Sequence, residues 1–239
     1  MTTGQQNIFI GDNCAAGAAV TGNLNTIIGD NAGYDLTTGT TNTGLGGGAL
    51  GNNTTGSQNV ALGYEALLTQ TTASYNTAVG GYSMHDNTTG AANCAVGDHA
   101  LHSNTTANYN TAVGINALRL NTTASDNTAV GYNALTSNTT GTYNAAFGAY
   151  SLDASSTQSY CTAVGYGALS ASTTAGDNTA IGDRAMLTNT TGATNTACGN
   201  AAMRDNTTGS NLAAFGKSAL LLNTTGAVSY THLTLPTKA

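Results

Sequence analysis

His85 and His102 stand close in sequence, with His99 and the acids Asp86 and Asp98 between them. Imidazoles and carboxylates held side by side could share a divalent ion such as zinc. Separation in sequence becomes proximity only if the chain returns to the same place at the interval that divides the two histidines. The sequence does return at that interval. The stretch Asn127 to Tyr143, NTAVGYNALTSNTTGTY, recurs with units starting at Asn7, Asn25, Asn42, Asn59, Asn76, Asn93, Asn110, Asn127, Asn144, Cys161, Asn178, Asn195 and Leu212. The first step is one residue longer than the constant seventeen-residue step that follows. Fixed-period self-similarity is the signature of a repeat architecture.

Positions are numbered from the Asn that opens each unit. His85 and His102 then share position 10, and His99 takes position 7. No carboxylate is assured beside them, so they read as exposed polar residues on a variable face, and neither metal nor cofactor is expected. Asp12, Asp30, Asp98 and Asp183 share position 6, but only Asp12 and Asp30 fall in consecutive units. They read as solvated surface. No GxSxG, HExxH, Walker loop or dinucleotide fingerprint is present, so an enzyme is not expected and no catalytic residue is assigned.

Tyr75, Tyr109, Tyr143 and Tyr160 share position 17, while Tyr64, Tyr132 and Tyr166 share position 6. Aromatic rows of this kind can stack on sugar rings or pack against a partner. The position-17 row is the candidate ligand-binding set. Asn53, Asn87, Asn104, Asn121, Asn138, Asn189, Asn206 and Asn223 each head an N-x-T sequon, and a structural role explains their regular spacing without sugar. Thr columns at positions 13 and 14 raise a remote ice-binding alternative. Adjacent residues face opposite sides of a strand, so T-T does not supply an outward T-x-T rank.

The elements that carry these columns follow from the pattern. Position 5 is Gly in every unit, and positions 12 to 15 read N-T-T-G/A with few exceptions. They cut each unit into two short pieces, roughly NTAV and xxAL, each strand-sized and too short for an amphipathic helix. In-register stacking gives an all-β parallel β-solenoid of about thirteen coils, its strands about 4.8 Å apart. The apolar residues at positions 4 and 9 are expected to form the core. The glycine answers a need for positive φ or close approach. Asn76, Asn93, Asn110 and Asn127 are expected to form one side-chain ladder, with Asn87, Asn104, Asn121 and Asn138 forming another. Such a core is thin. Small Ala at positions 3 and 8 would let parallel chains pack closely, so a homo-oligomer is expected, as a trimer about an axis parallel to the solenoid.

Composition narrows the partners. Only 7% of residues are charged and the net charge is −6, which excludes a basic nucleic-acid surface. No apolar run could span a bilayer. Cys14, Cys94, Cys161 and Cys198 occupy four different unit positions, so they read as small fillers rather than a disulfide or metal framework.

NTAVGYNAL and NTAIGDRAM resemble the SVAIGxxA-type repeats of YadA-like trimeric autotransporter adhesin heads, over Asn25 to Val228. The resemblance implies a left-handed parallel β-roll, three associated chains and an extracellular head binding matrix or cell surfaces. The period departs from that family, whose repeats run nearer fourteen residues. The array is also similar to NTAVG-type repeats of phage tail fibres. The expected function is therefore a structural and adhesive fibre segment, the head or shaft of a trimeric surface adhesin, with a tail fibre segment of a virion as the alternative. Its partners would be copies of itself and a surface ligand such as a matrix protein or glycan. Direct membrane insertion is not expected. Residues 1–228 read as one β-solenoid domain that opens inside a repeat, a fragment of a longer array. Residues 229–239 break the register. Val228 to Thr237 resembles a translated sequencing adapter of the kind found in metagenomic reading frames, so this tail is set aside as an artefact.

Overall fold

Thr and Val flank a central Ala in the NTAV segment. β-branched side chains suit a pleated surface, and the glycine that follows ends the extended run. The computed structural model, which describes residues 3–226, has thirteen three-residue strands, β1 (Ile8–Ile10) through β13 (Ala213–Phe215). They form one parallel sheet in sequence order. The register is unit against unit: in β7 (Thr111–Val113) and β8 (Thr128–Val130), Thr111 pairs with Thr128, Ala112 with Ala129 and Val113 with Val130. The longer first step is absorbed outside the strands, since Ile8 still pairs with Thr26. The chain is thus an all-β parallel β-solenoid, and no helix occurs among the described residues.

Each coil carries one strand, not the two expected. The xxAL segment folds as turn. Its backbone alternates in hand, with Asn116 at φ 58° and Leu118 at φ 51°, and the same pair of positions is left-handed in most coils. This alternation aims successive N–H groups opposite ways along the axis. His99 N donates to the Gly81 carbonyl of the coil behind (3.0 Å), and Leu101 N donates to the Ala117 carbonyl of the coil ahead (2.9 Å). The turn therefore stacks as firmly as a strand while placing side chains differently.

The glycine column meets both of its expected demands. Its φ values lie between 117° and 148°. A Cβ on Gly114 would also sit 2.5 Å from the Gly131 carbonyl oxygen of the next coil.

The core is narrower than the sequence suggests. Position 9 (Leu67, Met84, Leu101, Leu118, Leu135) is fully buried, as are the alanines at positions 3 and 8. Position 4 is not core. Leu45 is 51% and Phe147 41% exposed, because the middle residue of a three-residue strand points inward and its neighbours point out. The alanines at positions 3 and 8 are likewise inside their own coil, not on a face where another chain could pack. Inside volume is conserved locally: where Gly33 replaces the usual Leu, Ile27 replaces the usual inward Ala and lies against it.

Asparagine fills the rest of the interior. Asn93 Oδ1 accepts the backbone N–H of Asn110 (2.9 Å), and Asn110 Oδ1 accepts that of Asn127 (3.0 Å). The second ladder runs amide to amide, with Asn104 Nδ2 donating to Asn87 Oδ1 (2.8 Å) and Asn121 Nδ2 to Asn104 Oδ1 (3.1 Å). Both ladders converge within a coil: Asn76 Nδ2 (2.8 Å) and Asn87 Nδ2 (2.9 Å) donate to the same Gly90 carbonyl. A buried amide satisfied on both sides clips the coil shut and fixes its axial register.

Candidate functional site

The coil fixes which columns can meet a partner. Positions 7 and 10 flank the fully buried position 9, and their residues vary from coil to coil. The chain's single glutamate, Glu65, and three of its four histidines fall on this ridge in three consecutive coils.

The structure brings them together. The rings of His85 and His102 stack in parallel, with centroids 5.2 Å apart and planes at 5°. Asp86 faces both, its Oδ1 2.6 Å from His85 Nδ1 and its Oδ2 3.5 Å from His102 Nδ1. On the far side of the His85 ring, Nε2 lies 3.3 Å from Glu65 Oε2. His99 stacks on His102 at 5.2 Å, but its Nδ1 turns to Asp98 Oδ2 at 2.7 Å. Burial holds the His102 imidazole below the ordinary histidine range against the pull of Asp86, and His85, His99 and Arg119 add to the lowering. The sequence identified the three histidines. It did not place the carboxylates. Glu65 occupies position 7 of the coil before His85, out of register with the histidine column, and Asp86 reaches across coils.

A run of rings continues from this cluster. Tyr82 stacks on His99 at 5.0 Å and meets Tyr64 edge-on at 5.4 Å. Tyr132, Tyr150 and Tyr166 form a second edge-to-face series at 5.3 and 5.8 Å, and Arg184 lies 5.9 Å over the Tyr166 ring. Tyr82 and Tyr150 were overlooked because they sit at position 7, not 6. A step one residue longer than the repeat, from Tyr64 to Tyr82 and from Tyr132 to Tyr150, was the available signal.

The position-17 tyrosines stand well out on a separate ridge, Tyr109 being 67% exposed. Only Tyr143 and Tyr160 occupy consecutive coils, and they stack at 5.2 Å and 10°. Tyr75 and Tyr109 are separated by Ala92, and Tyr109 and Tyr143 by Asp126. Position 16 also varies, yet its polar side chains are occupied: Ser125 Oγ accepts the Asn108 N–H and Ser159 Oγ the Thr142 N–H, both at 3.0 Å.

The sequon asparagines from Asn53 to Asn206 are fully buried, so the folded coil offers no amide to a glycosylating enzyme. At position 13 the hydroxyls are also committed. Thr88 Oγ1 donates to the Thr105 carbonyl (2.9 Å) and Thr105 Oγ1 to that of Thr122 (3.1 Å). The outward sheet face is instead a two-column Thr-x-Val surface, apolar along the position-4 column, with Phe147 and Phe215 projecting from it. The four cysteines are free thiols. The chain matches no protein-family model, no curated protein and no solved structure.

Proposed function

We propose that this chain is a segment of an extracellular fibre, a self-associating shaft or head that presents variable ridges to a surface ligand. The observation that supports this reading is the division of labour around one coil. Buried alanine, leucine and asparagine repeat with little change and build a rod of about 60 Å at ~4.8 Å per coil. The Thr-x-Val face runs its whole length as an apolar surface on which copies of the chain can pack. The ridges at positions 6, 7, 10 and 17 change from coil to coil and are free to make contacts. The adhesin-head resemblance implies three associated chains, and in our reading they pack their Thr-x-Val faces about a common axis and leave the ridges outside. A tail fibre would use the same geometry on a virion.

The adhesive part is tested by binding of the whole chain to immobilised matrix proteins and surface glycans. Saturable binding to one class, lost in Tyr143→Ser/Tyr160→Ser, supports it. Absence of binding to every member of both classes overturns it.

A further inference from the structure

We propose that Asp86, His85 and His102 form a binding site for a first-row divalent transition metal, with zinc the best match, across two adjacent coils of the solenoid. The proposal is independent of the fibre reading. Its first support is convergence: one ligand atom from each of the three residues lies within 4.8 Å of the other two. The donor set is two imidazole nitrogens and one carboxylate oxygen, the combination that suits zinc and its neighbours rather than calcium or magnesium.

The second support is how close the arrangement already is to coordination. Bonds of about 2.0–2.1 Å around a tetrahedral ion put neighbouring donors about 3.3 Å apart. Asp86 turns a different oxygen to each ring, Oδ2 at 3.5 Å from His102 Nδ1 and Oδ1 at 2.6 Å from His85 Nδ1. A small rotation of the carboxylate therefore presents one oxygen to an ion shared by both imidazoles. An ion entering between them opens the short contact by less than 1 Å and tilts the two parallel rings toward a common point. The side chains are free to make that change, being 21% (His85), 43% (Asp86) and 22% (His102) exposed. That exposure also leaves a solvent ligand at the fourth position.

The third support is the outer shell. A histidine that binds metal through one nitrogen is commonly oriented by a carboxylate on the other. Glu65 occupies that place at His85 Nε2. It is a positioning residue, contributed by the coil behind. The site thus joins three coils, and the ion would tie them together. His99 stays outside it, since its Nδ1 is engaged by Asp98.

Calorimetric titration of the full, metal-stripped chain with Zn²⁺ tests this. One ion per chain should bind with micromolar or tighter affinity. His85→Ala and His102→Ala should each weaken it about tenfold or more, and Glu65→Gln by about tenfold through loss of orientation. His99→Ala removes the ring stacked on His102 but no ligand, and should weaken binding less than either His85→Ala or His102→Ala. Tyr143→Ser, on the separate ridge, should leave affinity within about threefold. Co²⁺ should give the intense visible absorption of a four-coordinate site, shifted in Glu65→Gln. Zn²⁺ should also raise the melting temperature of the native chain and not that of His102→Asn, a shape-conserving variant that keeps the test valid if Ala disturbs the coil. No saturable binding by about 100 μM Zn²⁺, well above the range of a specific site, overturns the proposal. So does binding that His85→Ala and His102→Ala both leave unchanged.

Discussion

At the scale of single residues, what matters is whether a side chain stacks on its own copy one coil away. Asn110 shows this. It accepts from Asn127 N–H and donates to the Ala124 carbonyl (2.9 Å). Asn110→Ala leaves the Asn127 N–H buried and unpaired, while the Ala124 carbonyl keeps Asn121 Nδ2 (2.9 Å). It should cost about 1–3 kcal/mol, read as a lowered denaturation midpoint. Cys161 is the natural counter-example. It stands where the ladder calls for Asn, with sulfur in place of an amide, 3.5 Å from the Ala175 carbonyl. Burial pushes its thiol from the ordinary 9.0 up to about 11. Because the folded value is the higher, the thiol's contribution is intact below about pH 9 and is lost as pH rises toward 11. That loss should amount to about 2–3 kcal/mol. Cys161→Asn should remove this alkaline sensitivity and add about 1 kcal/mol at neutral pH by repairing the ladder. Denaturation of both proteins across pH 7 to 11 checks it. A third residue-scale test concerns handedness. Ala201 sits at φ 54°, a conformation that asparagine tolerates and alanine resists. Ala201→Asn should stabilise by about 0.5–1 kcal/mol.

At the scale of elements, the coil was legible in part. The period, the glycine breaks and the two Asn ladders could be read directly, because each repeats without compensation. The orientation of the NTAV strand could not. Hydrophobicity nominated Val at position 4 for the core and left Ala at position 3 as filler. In a strand of three residues the centre alone points in, and the small interior accepts Ala there. Ala112→Val should therefore cost about 1–3 kcal/mol through overpacking. Val113→Thr should be nearly neutral in the isolated chain. Equal costs would contradict the inside-out assignment. The xxAL turn was mistaken for a second strand because its left-handed residue at position 9 is Leu or Met. The Asn and Gly that announce the other at position 7, such as Asn116, Asn133 and Gly167, give way to Tyr, His or Arg in other coils. Stacking hydrogen bonds override the local preference. Ladder defects also cluster in one place. Ser155 and Ser172 replace Asn around Gln158 and Cys161, and Ser155 Oγ and Gln158 Nε2 are buried without a partner. Amide exchange should be fastest, among the interior coils, between Ser155 and Asn178.

At the scale of the whole molecule, the candidate site was half visible. The three histidines were found from their columns, but only the folded stack shows Asp86 between two rings and Glu65 behind one. Those carboxylates are what the proposed metal site adds to the polar patch read from the sequence. The position-17 tyrosines form broken rows, so a stacking ligand has one consecutive pair, Tyr143 and Tyr160, on which to sit. The tail from Ser229 to Ala239 lies outside the described residues. What unites the molecule is one coil repeated along an axis, with an apolar face that a lone chain leaves in water. Sedimentation equilibrium of the intact chain tests this account most directly. It predicts a species of three times 23.7 kDa that falls to a folded monomer when Val113→Lys and Val130→Lys are introduced together. A wild-type chain that stays monomeric at tens of micromolar, the range a weak specific assembly still occupies, would contradict it.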